Sequence, residues 1–113
     1  MTDPRLNLVH ELLETMIDAT NYVHNQIVDG DSLMAMMVTE DIISGFVTIE
    51  ETLLALKVEL KDFNRIEQQL KSIKVSLEKI VLSFESNEYQ QVASIINYSM
   101  LKQITQLQKQ LKD

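Results

Sequence analysis

The sequence predicts an all-α fold, an antiparallel up-down bundle of four long helices in a single domain over residues 1–113. Three observations predict it. Breakers are scarce, with two glycines (Gly30, Gly45) and one proline (Pro4) in 113 residues. Leucine, isoleucine, valine and methionine recur at spacings of three and four from Leu6 to Leu111, the period of one helix face. No segment sustains the two-residue alternation of a half-buried strand. A chain of this length forms one domain with a modest core, and helix should exceed about two-thirds of it.

The first helix is expected over residues 4–28. Asp3 suits the N-cap, and Pro4 suits the first helical position, where its missing N–H costs nothing. Its buried stripe is Leu6, Val9, Leu13, Met16, Thr20, Val23 and Ile27. Asp29-Gly30-Asp31 stops it, with Gly30 free to turn left-handed and Asp31 placed to cap the next helix.

The second helix is expected over residues 32–60, with a stripe of Ala35, Val38, Ile42, Phe46, Ile49, Leu53, Leu56 and Leu60. Gly45 lies inside it, a point for a close helix approach, a kink or a break before the Thr48/Glu51 capping pair. The third helix is expected over residues 64–85, with Phe63, Ile66, Leu70, Ile73, Leu77, Ile80 and Phe84 as its stripe. No glycine or proline separates the two. A bend at 61–64, capped by Asp62 or Asn64, is expected, and one continuous helix is the alternative. Ser86-Asn87-Glu88 punctuates next, with Ser86 or Asn87 as cap for a fourth helix over residues 87–112. Its stripe is Tyr89, Val92, Ile96, Met100, Ile104, Leu107 and Leu111, with Lys102, Lys109 and Lys112 towards the favourable end of its dipole.

Composition excludes several chemistries. Cysteine is absent, so disulfide, thiolate and zinc-thiolate chemistry are impossible. The net charge of −7 is unevenly placed: residues 1–61 carry eleven acids and three bases, residues 62–113 six acids and seven bases. An acidic half repels phosphate backbones, so no nucleic-acid partner is expected, and a partner with a basic face is favoured. Met1 to Arg5 shows no leader character, and the longest apolar run, Leu33 to Val38, is far short of a span of about 20 residues. A cytoplasmic protein without membrane contact is the expectation.

The candidate sites lack the neighbours their chemistry needs. His10 and His24 lack the lysine and glycine that follow a phosphotransfer histidine at three and four positions; Leu13-Glu14 and Ile27-Val28 stand there. His10 and Glu14 lie one turn apart, but the zinc-protease pentapeptide needs a second histidine. Asn7 and Asn21 occupy the positions where a di-iron bundle places glutamate. Glu40-Asp41 and Glu50-Glu51 point about 100° apart within each pair and suit solvent better than acid–base work. No cofactor, metal or catalytic residue is expected. The apolar run Leu33, Met34, Met36 and Met37 cannot all face one core. It marks either deep burial at the bundle end or a partner-binding surface, for which adaptable methionines are suited.

Val92-Ala93-Ser94-Ile95-Ile96-Asn97-Tyr98-Ser99-Met100-Leu101 resembles the last helix of a family of small acidic bacterial helical-bundle proteins of unassigned function. Tyr98 and Met100-Leu101 match; Ser99, Lys102 and Leu107 depart from the family's glutamate, proline and tryptophan. The resemblance implies a helical bundle and no activity. Size, acidity and helicity are also similar in general type to flagellar and type III export chaperones. The type VII helical hairpins differ, because Ile43-Ser44 precede Gly45 where they carry Trp-x-Gly. The expectation is therefore a non-enzymatic adaptor or export-chaperone-like bundle that holds an amphipathic helix and is itself a homodimer. A purely structural homodimer is the second reading, and an enzymatic or phosphotransfer bundle the third.

Overall fold

The computed structural model describes residues 3–112. Helix makes up 90% of the chain, and the described residues contain no strand. The first helix, α1 (Pro4–Val28), starts as its cap predicts. Asp3 is extended and its carboxylate accepts from the Arg5 backbone N–H at 2.8 Å. The Arg5 guanidinium folds back onto the same carboxylate at 2.9 Å. The side-chain hydrogen bond, then the backbone one, holds the Asp3 pKa below the usual carboxylate range.

Gly30, at φ +86°, ends α1. Its N–H reaches Ile27 O at 3.1 Å and the Asp31 N–H reaches Gln26 O at 2.8 Å, which satisfies two terminal carbonyls. Asp31 then serves α2 (Ser32–Ala55), accepting from Met34 N–H at 3.0 Å. One residue thus closes a helix with its backbone and opens the next with its side chain.

Gly45 does not break α2, and a Cβ built there meets nothing within 4 Å. The close approach allowed for by the sequence is absent. The two glycines should therefore respond oppositely to alanine. Gly45→Ala should stabilise by about 0.5–1 kcal/mol, through helix propensity alone. Gly30→Ala should destabilise by about 1 kcal/mol, because alanine is strained at positive φ. Urea melts of the two variants check both signs.

The second helix stops at Ala55, five residues short of the expected Leu60, and the continuous-helix alternative is ruled out. Lys57–Glu59 form a short 3₁₀ turn, Leu60 is extended at ψ 134°, and Asp62 is left-handed at φ 52°, ψ 52°. The reason is spacing. The stripe steps from Leu60 to Phe63 to Ile66 by three and three, which a straight helix would carry off the core face. Residues 32–85 as one helix would also be about 81 Å long, against a molecule of 45 × 21 × 19 Å. Aspartate tolerates the left-handed region better than most residues, so the reversal needs no glycine. The Lys57 ammonium sits 5.7 Å from the Phe63 ring across this turn.

The third helix, α3 (Phe63–Glu85), begins one residue earlier than expected, and Asp62 at its N-cap makes no side-chain bond. It ends as α1 does, with Asn87 in the glycine role at φ 58°. Asn87 N–H reaches Phe84 O at 3.0 Å and Glu88 N–H reaches Ser83 O at 2.8 Å. Ser86 and Asn87 therefore terminate α3 and do not cap the fourth helix, which starts two residues later than predicted, at Tyr89.

The fourth helix is built of α4 (Tyr89–Ile95), a π-helical turn (Ile96–Met100) and α5 (Leu101–Lys112). The Leu101 N–H donates to Ile96 O, five residues back. The cause is visible in the stripe. The first and third helices step 3-4-3-4-3-4, whereas Val92, Ile96, Met100 and Ile104 step 4-4-4. On an α-helix each step of four overshoots a full turn by about 40°, so three in a row would carry Ile104 off the core. The wide π turn absorbs one extra residue, and Val92, Ile96, Met100 and Ile104 are all 0–1% exposed.

The bundle is elongated along one axis. α1 packs against α2 on one side and the fourth helix on the other, and α3 packs against the fourth helix. Ser76 Oγ on α3 donates to Gln103 Oε1 on α5 at 2.7 Å, tying two helices at a buried polar position. All predicted stripe positions of α1 from Val9 to Ile27 are buried, as are those of α3 from Ile66 to Phe84. On α2 the buried residue after Ala35 is Thr39, with Val38 only half-buried. Four residues on from Ala35, Thr39 keeps the step, and its hydroxyl is satisfied by Ala35 O at 2.8 Å.

Candidate partner-binding surface

α2 departs most from an ordinary amphipathic helix. Its 24 residues include four acids (Glu40, Asp41, Glu50, Glu51) and no base. Apolar residues remain on the sides turned away from the core, so only 28% of its most apolar stretch is buried. By length and composition it is the one helix among the described residues that could cross a membrane.

The four residues singled out in the sequence are all exposed: Leu33 by 68%, Met34 by 37%, Met36 by 39% and Met37 by 53%. Deep burial at the bundle end is therefore overturned. Val28, across the Gly30 turn, is also 68% exposed. By helical spacing the run divides among faces. Leu33 and Met37 lie one turn apart on the outer side, Met34 lies in line with half-buried Val38, and Met36 falls in line with Ile43 and Val47.

That last line leads into a feature not legible in the sequence. α2 and α3 approach each other far less closely than α1 and α2. Between them lies an open groove of about 400 Å³, floored by Phe46 and Leu77 and walled by Ile43, Val47, Val81 and Leu82. Phe46 and Leu77 are buried at 3% and 5%, while Val47 and Leu82 are 42% and 61% exposed. Glu50, Lys74 and Glu78 form the rim. Both ion pairs among the described residues belong to Arg5, with Asp3 and with Glu59, so the rim carboxylates carry no paired charge.

Two other clefts are more polar. One lies at the bundle end against Asp3, His10, Glu59 and Lys61, with His10 Nδ1 lacking a hydrogen-bond partner. The other runs between α3 and the π turn, past Lys71, Ser72, Lys79 and Ser99. His24 is not near His10: its Nε2 lies 3.0 Å from Asn97 Nδ2 in the π turn, where the amide donates when Nε2 is unprotonated. Among the described residues no three histidine or carboxylate side chains gather to hold a metal.

A family model described as a domain of unknown function, DUF8042, matches residues 6–110. No curated protein and no solved structure matches the chain.

Proposed function

This chain belongs to the DUF8042 family, a domain of unknown function, and from its geometry we propose that it is a non-enzymatic protein-binding module whose second helix receives an amphipathic helix of a partner. The carrying observation is the surface of α2: Leu33, Met36, Met37, Val47 and Leu54 are each more than a third exposed on a helix with no basic residue. Apolar contact supplies affinity in helix-in-groove recognition, and the methionines let the surface adapt to more than one sequence. The unpaired carboxylates favour a partner with lysine or arginine beside its apolar stripe, because complementary charge raises the association rate. This supports an adaptor or chaperone-like role over the structural homodimer. A two-fold contact through α2 would set the acids of one copy against those of the other.

The test uses a helical peptide of about 20 residues with leucines at 3-4 spacing and flanking lysines, and a matched peptide with glutamates. The wild-type protein should bind the first and not the second in fluorescence anisotropy. Met36→Ser with Met37→Ser should weaken binding at least about tenfold, the loss of a single strong apolar anchor, and leave the melting temperature within a few degrees. Unchanged binding by this double variant, or an unfolded variant, overturns the proposal. So does co-sedimentation with zwitterionic vesicles in place of peptide binding.

A further inference from the structure

We infer that the partner helix lies lengthwise in the α2/α3 groove, as a fifth helix of the bundle, with its basic flank against the α2 rim. This rests on the protein-binding role proposed above and names the seat and the chemistry of its occupant. Three observations converge on it. The groove opens where the bundle's own packing is weakest, because α2 and α3 follow one another through the 56–62 reversal and approach closely at far fewer places than α1 and α2 do. Its floor is already apolar core, so an inserted side chain would touch Phe46 and Leu77 directly.

The groove also continues into a longer stripe. On α2, Met36, Ile43, Val47 and Leu54 follow steps of seven, four and seven, a second face beside the core stripe. From Met36 to Leu54 the stripe rises through 18 residue steps, or about 27 Å of helix. That length exceeds a compact small molecule and suits a helix of about five turns. Met36, Val47 and Leu54 on it are 39%, 42% and 58% exposed.

Charge selects among helical occupants. The α2 side of this face carries Glu40 and Glu50, and the α3 rim carries Glu78 against a single base, Lys74. The seat is net negative over an apolar floor. A lysine- or arginine-flanked amphipathic helix matches both properties. An α2 helix from a second copy matches only the apolar one, since it brings four further acids and no base.

The test uses the same lysine-flanked peptide with one variant from each wall, Val47→Asp and Leu82→Ser. Both positions are exposed, so both variants should melt as the wild type does. Each should weaken peptide binding at least about tenfold. Glu50→Gln with Glu78→Gln should slow association and flatten its dependence on salt between about 0.05 and 0.5 M, with a smaller effect on dissociation. If both wall variants bind as the wild type while the Met36/Met37 variant does not, the groove is overturned and the α2 binding role survives. If the wild type fails to bind the peptide at all, both fall. Should Val47→Asp fail to fold, Leu82→Ser on α3 decides alone. A wild-type dimer dissociated by Val47→Asp in sedimentation equilibrium would overturn the inference in favour of a second copy as occupant.

Discussion

Deleting Tyr98 is expected to leave the bundle folded, whereas deleting Ser72 should unfold it. Both are polar-faced helix positions outside the core, and Tyr98 is 78% exposed. They differ in the stripe that each precedes. Removing Ser72 rotates Ile73, Leu77, Ile80 and Phe84 by about 100° off the core. Four buried side chains at about 1.5–3 kcal/mol each amount to about 6–12 kcal/mol, comparable with the total stability of about 5–15 kcal/mol expected of a domain. Removing Tyr98 converts the 4-4-4 stripe of the fourth helix into 3-4 steps. The π turn can then relax to α-helix, with Ile104, Leu107 and Leu111 still inward. Circular dichroism melts should show a cooperative transition for the Tyr98 deletion and none for the Ser72 deletion. Equal damage from both would show that the π turn is not a one-residue insertion in the stripe.

The second large effect is in the middle of α3. Ile73 is fully buried, and Leu70 and Leu77 are 5% exposed. Replacing any one of them with alanine should cost about 2–5 kcal/mol, the transfer term plus the cavity left behind. Ile73 should lie towards the upper end, because the rigid stripe around it, tied by the Ser76–Gln103 bond, can collapse little. Leu77 should lie lower, because it also borders the open groove, where Val81 and Leu82 have room to settle. Chemical denaturation of the three variants tests the order as well as the size. Melts unaffected by all three would mean that this face does not carry the core.

The candidate surface shows where sequence legibility ended. The run from Leu33 to Met37 was conspicuous, because consecutive helix residues cannot all point inward. Its exposure was still undecided, since a buried bundle end and a binding face have the same composition. The groove was invisible. Val47, on the short second line of α2, and Leu82, next to Val81, each lie beside a core stripe, and exposed apolar residues in such places are ordinary. These two residues, 35 positions apart in sequence, line one groove only because α2 and α3 are held side by side without closing. The π turn is a different case. Its 4-4-4 spacing is present in the sequence as a departure from the 3-4 alternation of the first and third helices.

By itself the sequence determined the helical class, the inward face of nearly every helix and the two ends held by Asp3 and by Asp29-Gly30-Asp31. These are local matters: hydrophobic period, capping chemistry and the freedom of one glycine act within a few residues of each other. Only the tertiary structure decided at which residue the second helix stops, that the two glycine-free reversals fall on Asp62 and Asn87, and which pair of helices stays apart. Those outcomes depend on the length of the bundle, on core residues distant in sequence and on the space left when three seams close and the fourth does not. Local propensity contains none of that information, because the competing local states differ by about 1 kcal/mol or less, and packing of a whole helix face outweighs them.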